Sequence, residues 1–214
     1  GDSPSDPGDM EGIARPRVGY VGAMDPITID QALVEALVRS MPDVSFVFVG
    51  PSTLGGAWRE AGNAHFLGQK DYGLVPSYMA ACDALIMPWR DNEWIRASNP
   101  VKLKDYLRTG RPVVSTYVPE LDSYEGLVRV AASPEDFRSA IRAALRDPPE
   151  KESCRARMAK ETWETRLEAV IAALAEDGLS PAEASPSDGP GPEAARRAAP
   201  DRRSRRRLKE GENG

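Results

Sequence analysis

The residues best suited to chemistry lie in one stretch, Glu93-Trp94-Ile95-Arg96-Ala97-Ser98-Asn99-Pro100-Val101-Lys102-Leu103-Lys104-Asp105. Asn99 and Pro100 form a helix entry: an amide oxygen that can accept an orphaned N–H, then a residue with no N–H to lose. Leu103, Tyr106 and Leu107 follow at i, i+3 and i+4 and give the helix an apolar face. Gly110 suits a left-handed stop, Pro112 prevents continuation, and Val113-Val114 reads as a buried strand. A helix begun in this way presents free N–H groups and a positive dipole end, a natural seat for phosphate. Lys102 adds a point charge there. Asp105, three residues on, shares its face and can accept hydrogen bonds from hydroxyls. Spacing alone is equally satisfied by an exposed Lys102–Asp105 ion pair that contributes little.

Other groups offer less. His65 is the sole histidine and falls in an apolar run, where a structural role fits best. Cys82 and Cys154 have no metal-ligand spacing and read as reduced thiols. No Ser–His–acid or His/Cys metal constellation can be assembled, so no metal site is expected. Trp89 and Trp94 flank the loop and read as its apolar anchors.

The elements that must position these residues alternate. Arg17 to Val21, Ser45 to Gly50, Ala64 to Gly68, Asp83 to Pro88, Pro112 to Thr116 and Leu127 to Ala131 read as short strands. Helical spacing falls between or after them: Ile29 to Met41, Leu74 to Cys82, the stretch after Asn99, Ser133 to about Arg146, and a long helix from about Glu150 to Ala175. Ser133-Pro134-Glu135-Asp136 is a strong entry, with a cap, a proline and first-turn acids. The long helix carries Trp163, Leu167, Val170, Ile171 and Leu174 as its apolar side. This alternation predicts an α/β fold, a Rossmann-like parallel sheet with helices on both faces. Ligands of such sheets bind beyond the carboxyl ends of the strands, where the loops Gly22–Thr28, Gly50–Gly56 and Trp89–Asn99 converge.

Residues 1–16 read as a flexible lead-in, 17–177 as the folded domain, and 178–214 as a disordered Pro/Ala/Arg-rich tail. Charged residues make up 29% of the chain and hydrophobic ones 41%, which suits a soluble globular protein. The net charge of −5 argues against nucleic acid as a specific partner. Charge segregates, however: the tail carries 8 basic and 6 acidic residues against 20 and 27 in the remainder. Its arginines suit weak contact with an anionic membrane. Without a long apolar run or signal-peptide stretch, the expected location is cytoplasmic, with a peripheral position at the inner membrane face as the alternative.

With the loops in place, Ser98-Asn99-Pro100-Val101-Lys102-Leu103-Lys104-Asp105-Tyr106-Leu107-Arg108-Thr109-Gly110-Arg111-Pro112-Val113-Val114 resembles a segment of bacterial glycosyltransferases. In those enzymes an acidic helix residue stands five positions before the Gly of a G-[KR]-P-V-V run. Arg17 to Ala23, Phe46 to Pro51, Asn63 to Gly68 and Ala81 to Pro88 match other blocks in order. Over residues 15 to 175 the chain resembles the C-terminal donor-binding domain of GT-B-fold, group 1, retaining glycosyltransferases. The resemblance implies a nucleotide-sugar substrate, uridine diphosphate sugar or another nucleoside diphosphate sugar, with no cofactor and no metal. It places the donor on Gly22, Ala23, Ser98, Asn99, Lys102 and Asp105, with Lys102 toward the diphosphate and Asp105 toward the ribose. The base falls near Asn63 to Gly68 and Tyr72. The family's first glutamate corresponds to Ala97 here, which leaves Glu93 as the catalytic candidate. A basic residue common in the turn after the first strand is replaced by Met24-Asp25. The resemblance also implies a separate N-terminal GT-B domain as partner, so this chain is read as a truncation or half of a split enzyme, inactive or weak alone. A non-catalytic nucleotide-binding or partner subunit, and a relative of nucleotide-sugar epimerases, remain the alternatives.

Overall fold

Apolar runs without alternation need cover on both faces, and the computed structural model of the chain supplies it. The structure describes residues 6–159, 161 and 163–176. Strands β1 (Arg17–Val21), β2 (Ser45–Val49), β4 (Ala84–Met87) and β5 (Val113–Ser115) are buried at every position. The outermost strands, β3 (Ala64–Gly68) and β6 (Val128–Val130), are only partly covered. All neighbours pair in parallel, in the order β3-β2-β1-β4-β5-β6. This is the Rossmann-like sheet expected from the sequence. From β1 the chain moves outward one way, and from β4 the other way. Sheets of this kind bind ligands in a crevice at the carboxyl ends of the two strands where the order reverses, here β1 and β4.

Four of the helices form where the sequence spacing places them, and a short fifth, Glu93–Arg96, falls in the stretch expected as the loop Trp89–Asn99. Asp30 caps α1 (Gln31–Ser40) by accepting the Leu33 N–H at 3.0 Å. The face it buries comprises Leu33, Val34, Leu37 and Val38, each worth about 1.5–3 kcal/mol. Pro76 lies in the first turn of α2 (Val75–Ala80). After β4 come α3 (Glu93–Arg96) and α4 (Val101–Arg108). Ser133 caps α5 (Pro134–Arg146) as anticipated, its hydroxyl accepting the Asp136 N–H at 3.1 Å. Helices α1 and α5 pack together on one face of the sheet, while α4 packs with α6 (Lys151–Ala159) on the other. Trp58, from a turn of 3-10 helix at 57–60, packs against the stacked pair of Phe48 and Phe66 and closes the core beside β3.

Three expectations need correction. The stretch before β1 is anchored from Asp6 onward rather than flexible. Met10 is fully buried, and the buried Arg17 guanidinium is held by the carbonyls of Met10 and Ile13 at 2.9 Å each. A buried guanidinium needs acceptors, and the preceding residues provide them. Second, Asn99 does not cap the central helix. Helix α4 begins at Val101 after Pro100 with no side-chain cap, and the Asn99 amide is committed elsewhere. Third, the long terminal helix is two helices, α6 and α7 (Trp163–Glu176). A tight backbone bond from the Glu161 N–H to the Met158 carbonyl, 3.1 Å, closes the first of them. The break puts the Glu161 carboxylate against Lys104 at 3.2 Å and Arg157 at 2.7 Å.

The chain divides into two compact units, residues 1–162 and 163–214. In the second, α7 carries Leu167, Val170, Ile171 and Leu174 exposed. The tail from 178 lies outside the described residues. Among those described, no helix is long and apolar enough to cross a membrane.

Candidate functional site

The crevice is rimmed by backbone. After β1 the loop is tied to the β2 loop through the Gly22 N–H to the Val49 carbonyl, 2.7 Å, and the Met24 N–H to the Pro51 carbonyl, 2.9 Å. On its other side the Asp30 N–H bonds the Pro88 carbonyl and the Arg90 N–H bonds the Thr28 carbonyl, both at 2.9 Å. Asp25 folds the loop on itself: one carboxylate oxygen accepts the N–H groups of Ile27 and Thr28 at 2.9 and 3.0 Å, the other the Thr28 hydroxyl at 3.1 Å.

Gly22 is required at the mouth for two reasons. Its φ is 141°, and a Cβ there would stand 1.9 Å from the Lys102 Nζ. The lysine reaches from the first turn of α4 across to β1, where its ammonium donates to the Val21 carbonyl at 2.7 Å and the Tyr20 hydroxyl at 2.8 Å. It also lies 4.0 Å above the Tyr20 ring centre. The Tyr20 hydroxyl in turn donates to the Ala23 carbonyl at 2.9 Å. The Tyr106 hydroxyl accepts the Val21 N–H at 2.8 Å and touches the same Val21 carbonyl at 3.3 Å, which fixes it from the helix side. The Trp89 indole N–H, buried on the β4 side, finds no acceptor in hydrogen-bond geometry.

The electrostatics follow from these partners. Lys102 meets neutral oxygens, so burial pulls its ammonium down to about 7, while the Asp25 carboxylate pulls the other way. Burial raises the Tyr20 phenol well above its ordinary value, so it stays protonated at neutral pH. The seat above Gly22 thus holds one weakly basic cation with an N–H to spare, and it can accept an anion and a proton together.

Of the residues singled out from sequence, Gly22, Ala23 and Lys102 are brought together here. Asp105 sits one turn along α4 and pairs with Arg108 at 3.0 Å. Its side chain lines a cavity of about 570 Å³ between α2 and α4, together with Tyr72, Val75, Pro76, Met79 and Arg108. Ser98 and Asn99 serve the loop itself. Ser98 donates to the Ile95 carbonyl at 2.8 Å; the Asn99 amide donates to Glu120 at 3.1 Å and accepts from Lys104 at 3.0 Å. Glu93 is exposed in the first turn of α3, one turn before the exposed Ala97. Asn92 caps that short helix by accepting the Ile95 N–H at 2.8 Å. Tyr20 and Tyr106 were hidden in the sequence because each reads as an ordinary apolar position of a strand or a helix face.

The pattern of the family described as Glycosyl transferases group 1 matches residues 15–147. A putative teichuronic acid biosynthesis glycosyltransferase, TuaH, of Bacillus subtilis strain 168 is 32% identical over 114 residues, 51% of this chain and 28% of that protein. Among solved structures, HepE from Anabaena in complex with UDP and glucose superposes with a TM-score of 0.60 at 18% identity, covering 78% of this chain and 50% of that one. Sucrose-phosphate synthase from Thermosynechococcus elongatus superposes with a TM-score of 0.57 at 19% identity, over 76% and 46%. The fold is that of one GT-B half. The chain spans half or less of the length of these proteins.

Proposed function

The chain belongs to the group 1 glycosyl transferases, and on that premise we propose that its crevice binds the diphosphate of a uridine diphosphate sugar, which it holds for transfer of the sugar to a glycan, lipid or small acceptor. The observation that carries this reading is the Lys102 ammonium poised over Gly22 at the switch point of the sheet. The UDP held by the HepE structure is consistent with it. The first turn of α4 adds free backbone N–H groups and the positive end of its dipole. As the bond from the sugar to the diphosphate breaks, negative charge grows on the departing oxygen, and a fixed cation beside it favours that state over the ground state. Asp105 accepts the ribose hydroxyls, and the base lies in the apolar cavity toward Tyr72. Glu93, on the rim, faces the sugar in place of the absent glutamate at Ala97.

Since the chain matches half or less of each relative, transfer is assigned to this chain together with a second GT-B half, and binding to this chain alone. A second reading rests on Ala97: without a carboxylate there, the chain serves as a nucleotide-binding subunit that does not catalyse. Calorimetric titration with UDP tests the site. Wild type binds, and Lys102→Ala and Asp105→Ala bind more weakly. No binding by wild type at millimolar UDP, or equal affinity in all three proteins, overturns the assignment. Glu93→Gln separates the two readings: it abolishes transfer in the reconstituted two-half enzyme if the first is right.

A further inference from the structure

We propose that Tyr20 is a positioning residue of the donor seat: its ring and hydroxyl aim the Lys102 ammonium into the space above Gly22, so that the lysine meets the diphosphate with its one uncommitted N–H. The inference rests on the diphosphate reading of that seat.

A lysine side chain has four rotatable bonds and, on a helix surface, would spread its charge over a wide volume. Here it is confined on three sides. The Tyr20 ring lies beneath the ammonium at 4.0 Å, the Tyr20 oxygen accepts from it at 2.8 Å, and the Val21 carbonyl accepts at 2.7 Å. Each of these partners is itself held. The Tyr20 hydroxyl spends its proton on the Ala23 carbonyl, so only its lone pairs face Lys102. The Val21 carbonyl is braced by the Tyr106 hydroxyl at 3.3 Å. Two of the three ammonium N–H groups are thereby engaged. Gly22 makes the room in which the ammonium sits, since a Cβ there would stand 1.9 Å from the Nζ.

All the partners in hydrogen-bond contact are neutral. The groups around Lys102 are Tyr20 from β1, Asp25 from the loop that follows and Tyr106 from α4 itself, and the Trp89 indole after β4 lies beside the Tyr20 hydroxyl. Asp25 is the single carboxylate among them, and its oxygens already accept from Ile27 and Thr28. A diphosphate would supply the negative charge that the seat lacks. Its binding therefore draws a proton onto Lys102, and the Tyr20 hydroxyl, which accepts from the charged lysine, tunes how readily that happens.

The test is the affinity for UDP between about pH 6.5 and 9 in wild type, Tyr20→Phe and Lys102→Met, with thermal unfolding run on each. Wild-type affinity falls as pH rises through about 7. Tyr20→Phe keeps the ring, binds roughly five- to tenfold more weakly, and breaks at lower pH because an acceptor for the charged lysine is gone. Lys102→Met binds weakly and without a break in this range. If Tyr20→Phe matches wild type in both affinity and break while Lys102→Met loses binding, the role of Tyr20 is overturned and the donor seat survives. Failure of wild type to bind, or wild-type behaviour of Lys102→Met, overturns the seat itself. Should Tyr20→Phe not fold, lysine-selective NMR of wild type decides: contacts between the Lys102 amine protons and the Tyr20 ring are expected, and their absence contradicts the proposal.

Discussion

Two lysines on α4, separated by a single residue, have opposite surroundings. Lys104 is buried against charge: Glu161 lies 3.2 Å away, Asn99 accepts at 3.0 Å, and Arg157 shares Glu161 at 2.7 Å. Lys102 reaches the other side of the helix and finds only neutral oxygens in contact. The first arrangement satisfies the ammonium within the protein and ties the loop before α4 to the segment after α6. The second leaves an electrostatic demand that an incoming anion can meet. A neutralised buried cation is a fastening; a cation given dipoles but no partner charge is a receptor.

The contrast is broken most forcefully at Glu161. Glu161→Ala leaves Lys104 buried beside Asn99 alone and should lower stability by about 3 kcal/mol in urea unfolding. UDP affinity of the folded protein should change little, because Lys102 is untouched. Lys102→Met should do the reverse, weakening UDP by roughly tenfold or more while the fold persists. It should also remove a pH effect. In wild type the lysine holds its proton more weakly folded, at about 7, than unfolded, near 10.4, so the unfolded chain binds more protons in between. Stability therefore gains from this group as pH rises from about 7 toward 10.4, and pH-dependent thermal melts of Lys102→Met should lack that contribution. Lys104→Met, by contrast, replaces a charge by an apolar chain while Glu161 keeps Arg157, and should cost about 1 kcal/mol or less. The smallest and most selective effect is expected at Asp105. Its exposed pair with Arg108 contributes little to stability, and Asp105→Ala should weaken UDP about fivefold while leaving inorganic diphosphate binding unchanged. Isothermal titration with the two ligands separates these outcomes.

Local signals carried most of the fold. The cap at Ser133, the left-handed stop at Gly110 with its φ of 68°, and the buried runs of β1, β2 and β4 each depend on neighbours a few residues away. What the sequence concealed depends on distant partners. Asn99 looks like a cap in isolation, but a buried lysine and Glu120, 21 residues away, compete for its amide and win. Glu161 breaks a helix that periodicity would continue, because its carboxylate belongs beside Lys104. The lead-in looks unstructured by composition, yet Met10 and the acceptors of Arg17 lie within it. At the candidate site, Gly22 and Lys102 were both named from the sequence, and the fold brings them into contact. Tyr20 was not, since a tyrosine in a buried strand announces no hydroxyl contact until the fold brings α4 across β1, 82 residues away in sequence.

The most direct measurement is the proton balance of UDP binding at about pH 8, obtained by titrating wild type and Lys102→Met in two buffers of different ionisation enthalpy. Burial holds the Lys102 ammonium down to about 7, so at that pH the free protein carries it largely neutral, and a diphosphate bound as proposed would draw a proton onto it. Wild type should take up close to one proton per UDP, about 0.9 at most, and Lys102→Met none. Equal heats in both buffers for wild type, or the same uptake in both proteins, would contradict the assignment of Lys102 as the receptor of the diphosphate.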